Sequence, residues 1–111
     1  MKIIHFQEIS PQKVETEGAR DVTIRWLITQ NDGAPRFAMR LFELKPGGHS
    51  PLHTHDFEHE VFIIEGEGTV WKEGQETAIR EGTAIFIAPG EKHQFKNTGK
   101  SRMRFLCMVP V

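Results

Sequence analysis

The sequence is poor in cysteine, in excess charge of either sign and in long apolar runs. Its single cysteine, Cys107, among 111 residues excludes an internal disulfide framework and fits a reducing compartment. A formal net charge of -1 gives no basis for a nucleic-acid surface. No apolar run nears the roughly 20 residues needed to cross a bilayer. The start, Met1-Lys2-Ile3-Ile4-His5-Phe6, turns polar too soon for a secretory leader. The cytoplasm is therefore the expected location, with no nucleic acid and no membrane as partner. Also missing are a clean 3.6-residue apolar period over about 12 residues, an internal repeat and a low-complexity tract. Long helices are thereby excluded, and the length suits one domain over residues 1–111.

What the chain does have is punctuation. Turn signals recur at Asn31-Asp32-Gly33, Pro46-Gly47-Gly48, Glu73-Gly74, Glu81-Gly82, Pro89-Gly90 and Asn97-Thr98-Gly99. Between them lie short runs rich in β-branched and aromatic residues. They are residues 22–29, 36–44, 60–65, 69–72, 77–80, 84–88, 93–96 and 102–109. Short strands at this spacing predict an all-β barrel or sandwich. Lys2 to Phe6 is expected to add an edge strand, and Lys13 to Arg20 reads as loop. Several runs are apolar on both faces. Phe37, Met39 and Leu41 alternate with Ala38, Phe42 and Leu44. One face fills the barrel, and the other asks for a second sheet or a second subunit. A homodimer is the expectation.

The stretch from Gly47 to Glu60 carries the chemistry. Four of the six histidines lie in it, at positions 49, 53, 55 and 59. On extended chain, residues i and i+2 share a face, so His53 and His55 can reach one point. Imidazole is the commonest metal ligand among side chains. His93, placed just after the Pro89-Gly90 turn at the head of a strand, is the natural partner from the second half. His49 reads as a turn residue and His5 as incidental. Asn97 reads as the residue that closes the Asn97-Thr98-Gly99 turn.

These residues resemble two motifs of the cupins. Gly47, His53, His55 and Gly66 fit the first motif. Gly82, Gly90, His93 and Asn97 fit the second, with the proline displaced to Pro89 because Ala88 holds its usual place. The motifs cover residues 47–66 and 82–97. The resemblance implies a single-domain double-stranded β-helix, a jelly-roll-like barrel, around one divalent transition metal per chain. One departure stands out: His59 occupies the family's glutamate position, with Glu60 next to it. Strand neighbours point to opposite faces, so one of the two is the ligand. The six-residue gap between His59 and Gly66 favours His59, and Glu60 is then expected to support a ligand from behind. The implied set is His53, His55, His59 and His93, as in small cupins with four-histidine sites. Manganese comes first by that resemblance alone. Imidazole donors by themselves suit zinc, copper, iron or nickel.

Further residues are candidates for the cavity. Phe95 shares a face with His93. In the last strand Met103, Phe105 and Cys107 share one face, and Arg102 and Arg104 begin the other, so Phe105 and Cys107 should point in. For Phe95, Phe105 and Cys107, core packing and substrate contact stand level. Arg40 is either an exposed edge charge or a cavity guanidinium that holds an anion or orients a bound oxygen species. The resemblance implies metal-dependent oxidative chemistry on a small molecule, dioxygenase- or oxidase-like. A Lewis-acid isomerase or lyase and a non-catalytic sugar-like binding module are the alternatives, because one fold hosts many functions.

Overall fold

The computed structural model describes residues 1–111. Nine strands form one antiparallel sheet that curls on itself. They are β1 (Gln12–Lys13), β2 (Arg20–Ile28), β3 (Phe37–His49), β4 (His59–Glu65), β5 (Glu67–Lys72), β6 (Gln75–Arg80), β7 (Ala84–Ile87), β8 (His93–Lys96) and β9 (Met103–Pro110). Along the sheet the order is β6-β5-β8-β3-β9-β4-β7, and β2 joins β3 while carrying β1. The all-β class read from the turn spacing is what the chain adopts. No helix is long and apolar enough to cross a membrane.

Side-chain alternation decides what faces in. Val22 from β2, Leu44 from β3, Val61 and Ile63 from β4, and Met103, Phe105 and Val109 from β9 pack into one core. Leu44, Ile63 and Met103 are fully enclosed, and burying each contributes about 1.5–3 kcal/mol. Below the core, Asn97 is buried and donates from Nδ2 to the Leu44 and Ser101 carbonyls at 2.9 Å each. Its Oδ1 accepts the Gly99 N–H, so it closes the turn and clamps β3 to the same corner.

Three local expectations fail. Lys2 to Phe6 forms no strand. Instead His5 caps a 3-10 turn over Phe6–Glu8. The Phe6 ring lies against the guanidinium groups of Arg25 and Arg104, at 5.3 and 5.2 Å. The Ile9 carbonyl accepts from Arg25 Nε at 3.0 Å. This N-terminal segment is thus a cover for part of the outer face, made by the chain itself. Second, the expected loop from Lys13 to Arg20 is shorter: residues 14–19 are loop, while Lys13 closes β1 and Arg20 opens β2. Third, Pro46-Gly47-Gly48 does not end β3. Gly47 adopts φ +80°, donates to the Asn97 carbonyl at 3.1 Å, and Gly48 accepts from Asn97 N–H at 2.9 Å. Backbone hydrogen bonds to Asn97 outweigh the turn chemistry, and the strand bends on to His49.

Candidate metal centre

Backbone pairing brings the two histidine-bearing stretches together. His53 and His93 exchange both backbone hydrogen bonds, at 3.2 and 3.0 Å, in an isolated antiparallel bridge. Ser50 continues the seam, with its N–H on the Phe95 carbonyl at 2.9 Å and its Oγ accepting Phe95 N–H at 2.8 Å. The turn after β7 is fixed by Gly90 N–H on the His55 carbonyl at 2.8 Å. There Glu91 also accepts Ala88 N–H at 2.7 Å. His55 itself lies on irregular chain rather than on a strand.

Four imidazoles result from this, His53, His55, His59 and His93, whose donor atoms lie within 4.8 Å of one another. His59 and His93 are buried. His49 is not among them; it sits outside, bonded to its own neighbourhood through Ser50 and Gln94. His5 is remote, in the N-terminal cap.

Three of the four rings have their orientation set by backbone carbonyls, which can only accept. Nδ1 of His53 donates to the Pro51 carbonyl at 2.8 Å, that of His55 to Phe57 at 2.9 Å and that of His93 to Glu91 at 2.8 Å. Each of these rings therefore carries its proton on Nδ1 and turns an Nε2 lone pair inward. The Phe57 ring stacks on His55 at 4.0 Å with 7° between planes. His59 differs. Its Nδ1 faces Cys107 Sγ at 2.9 Å and Arg40 Nη2 at 3.1 Å, and its Nε2 is in direct contact with His55 Nε2.

Burial works against charge on three of the four rings. Desolvation, reinforced by the neighbouring imidazoles and Arg40, pushes His59 down to about 3. Desolvation likewise lowers His55 and His93, against the backbone carbonyls that raise them. Burial pushes the Cys107 thiol up, against the pull of the Arg40 charge. The donor set is thus four imidazole nitrogens converging on one point, which fits a divalent ion of the kind imidazole prefers.

Arg40 lies in the cavity rather than on an exposed edge. It is the cross-strand partner of both Trp26 and Cys107, so register alone lines up Trp26, Arg40 and Cys107. Its Nη2 donates to Cys107 Sγ at 2.9 Å. Its guanidinium packs against Phe42 and Trp26 at 4.9 and 5.4 Å. Its Nε is buried with no partner. The cavity of about 520 Å³ that it borders also takes in Phe42, His53, His59 and Phe105. Phe95 and Cys107 reach it too, while each also packs in the core.

Glu60 is the residue placed differently from its expected role. It is exposed on the outer face of β4, opposite Phe86 and Met108, and has no contact with a histidine. The parity that turns His59 inward turns Glu60 out. The polar support behind His59 comes instead from Arg40 and Cys107. Sequence spacing does not mark Trp26 and Phe42 as cavity residues, although Phe42 shares its strand face with Arg40.

Relatives share this framework. The polyketide cyclase RemF of Streptomyces resistomycificus superposes with a TM-score of 0.94 at 37% identity, over 99% of this chain and 79% of that one. An oxalate-binding protein of Thermotoga maritima is 30% identical over 96% of this chain and 92% of its own length. The tetracenomycin polyketide synthase protein TcmJ of Streptomyces glaucescens is 29% identical over 77% of this chain and 58% of that protein. The match to the cupin domain runs over residues 40–109, from the cavity arginine to the last core strand, and the chain belongs to that family.

Proposed function

We propose that His53, His55, His59 and His93 hold one divalent transition metal, and that the protein transforms a small aromatic or polyketide-like molecule bound through oxygen. The carrying observation is the lining of the cavity. Trp26, Phe42, Phe95 and Phe105 offer flat apolar surface beside the unpartnered Nε of Arg40. The likeness to RemF over almost the whole chain supports the same substrate class. Bound there, a divalent ion would supply Lewis-acid polarisation of a carbonyl or enolate oxygen.

The chain's own residues would do the rest. The aromatic walls orient a planar ligand and exclude water. Arg40 donates to an oxygen acceptor, since a guanidinium has donors only. Glu15, the carboxylate on the cavity border, is exposed at its rim, so the interior holds no carboxylate base. An oxidisable thiol touching a ligand ring favours polarisation over the oxidative chemistry expected from the resemblance. Zinc suits such a role and such donors, and manganese stays within the test. A second reading is a binder of a small dicarboxylate. The likeness to the oxalate-binding protein over nearly the full length of both chains favours it.

Elemental analysis of protein purified without nickel resin or chelator is expected to give one metal per chain. Calorimetric titration should then show metal-dependent binding of an aromatic 1,3-dicarbonyl and weak binding of oxalate. The reverse order of affinities would establish the dicarboxylate reading. Dioxygen uptake on mixing with the aromatic ligand would restore the oxidative one.

A further inference from the structure

The four rings of the cluster are not held alike. His53, His55 and His93 each meet a backbone carbonyl at Nδ1, and a carbonyl admits one tautomer only. His59 meets no carbonyl. At its Nδ1 stand a sulfur at 2.9 Å and a guanidinium nitrogen at 3.1 Å. These two neighbours ask for opposite things. Arg40 has only donors, so facing it Nδ1 would be a lone pair and the proton would sit on Nε2. That tautomer has a partner as well, because Nε2 touches His55 Nε2, which is a lone pair by the carbonyl argument. It is, however, the tautomer that blocks a metal. Cys107 Sγ, in contrast, can accept.

We propose that Cys107 is the positioning residue for His59: in the metal-loaded protein Nδ1–H of His59 donates to Cys107 Sγ, and Nε2 is freed for the ion. The inference rests on the four-histidine reading of the site. Arg40 has a defined part in it. It is paired directly across the β3–β9 ladder from Cys107 and donates to the same sulfur at 2.9 Å, which holds the thiol against the ring. The sulfur thus stands where metal-bound histidines usually have a carboxylate or carbonyl. His59 has neither within reach, because Glu60 on the same strand faces outward. No proton leaves or enters the protein in this step; one N–H moves from Nε2 to Nδ1.

The test uses zinc, which leaves nuclear resonances visible. Long-range ¹H–¹⁵N correlation spectra of zinc-loaded protein should show all four rings protonated at Nδ1 and bound through Nε2. Zinc affinity by chelator competition should fall about 10-fold or more in Cys107→Ala, in line with the loss of an outer hydrogen-bond partner. Cys107→Ser, which restores an acceptor, should recover most of that loss. Should the alanine variant fold poorly, Cys107→Val fills the same space without an acceptor and should bind as weakly. Wild-type affinity in both apolar variants would overturn the inference while leaving the metal site standing. A His59 ring that bears no proton on either nitrogen with zinc bound would also overturn it. Wild-type protein that takes up no zinc, nor any other divalent ion, would overturn the four-histidine reading and this inference with it.

Discussion

His53 and His93 come from opposite halves of the chain and face each other as a two-bond backbone bridge, with their rings 4.7 Å apart. The bridge sits where the loop before β4 meets the head of β8. Ligand geometry here is therefore set by main-chain pairing more than by side-chain packing. Removing one imidazole leaves this frame intact, so the site can be dismantled without unfolding the barrel.

His93→Ala is expected to lose tight zinc binding while keeping the barrel. Zinc retention through gel filtration should fall from about one ion per chain to well below it, because a site short of one nitrogen loses a large share of its affinity. Far-UV circular dichroism of the metal-free variant should match that of the wild type. An undiminished zinc content in His93→Ala would remove this residue from the ligand set.

Metal-free protein should lose stability as pH falls from 7 toward 5. The sign follows from proton counting. His59 in the folded chain titrates near 3, whereas unfolded histidine titrates near ~6.5. Between those values the unfolded chain binds the extra proton, so acid favours unfolding. At pH ~5 the His59 contribution alone is about 2 kcal/mol, and the lowered His55 and His93 act in the same direction. Urea titrations of chelator-treated protein at several pH values would measure it. Stability independent of pH across this window would mean that His59 is not buried as described.

Much of this site was legible because its determinants are local. Strand parity separates His59 from Glu60, and the same parity in β9 turns Phe105 and Cys107 inward and leaves Leu106 and Met108 half-exposed outside. What stayed hidden depends on register between distant strands. The Trp26–Arg40–Cys107 row exists because β2, β3 and β9 pair at those residues, and no spacing within one strand reveals it. Glu60 illustrates the limit from the other side. Its place beside His59 suggested support, and the pleat that makes His59 a candidate ligand removes Glu60 from the cavity. The N-terminal segment reads as an edge strand because its apolar residues follow an extended pattern. Their partners, Arg25 and Arg104, hold Phe6 by its ring face instead.

Asn97→Ala should destabilise the fold by about 2–4 kcal/mol, because three hydrogen bonds are lost and two carbonyls and one N–H lose their side-chain partner. The side chain bonds Leu44, Ser101 and Gly99 and touches no histidine. Zinc affinity in the folded variant should remain that of the wild type. A weakened zinc site with unchanged melting would assign Asn97 to the metal region rather than to the turn.

A homodimer is expected through the outer face of β4, β7 and β9. The N-terminal segment covers only part of the barrel's exterior, and Phe62, Ile64 and Phe86 remain exposed to 45%, 37% and 66%. Leu106 lies directly across from Phe62 on β9 and extends this surface. Contiguous apolar surface of this kind marks an interface, and two-fold pairing is the commonest solution. Light scattering at micromolar concentration should give twice the chain mass, and Phe62→Glu should return it to one. A monomer mass for the wild-type protein would refute the pairing.

Cys107 provides the last prediction, because its surroundings shield it from solvent oxidants while holding it against the histidine cluster. The thiol is 3% exposed, and burial raises its titration point, so little reactive thiolate forms near neutrality. Peroxide in bulk water should therefore leave the zinc-loaded and metal-free protein largely unmodified. With iron or manganese held by the four histidines the outcome should differ, because Cys107 Sγ lies 2.9 Å from His59 Nδ1 and would meet oxidants formed from peroxide there before solvent does. Cys107 should then move to the sulfenic and sulfinic levels, gaining one or two oxygen atoms by intact mass. Cys107→Ser should show no such gain under the same treatment. Equal oxidation in the zinc, manganese and metal-free forms would show that the thiol is reached from solvent, against its burial. An unoxidised thiol in the iron and manganese forms would separate it from the metal, and with it the contact between Cys107 and His59 on which the histidine's orientation depends.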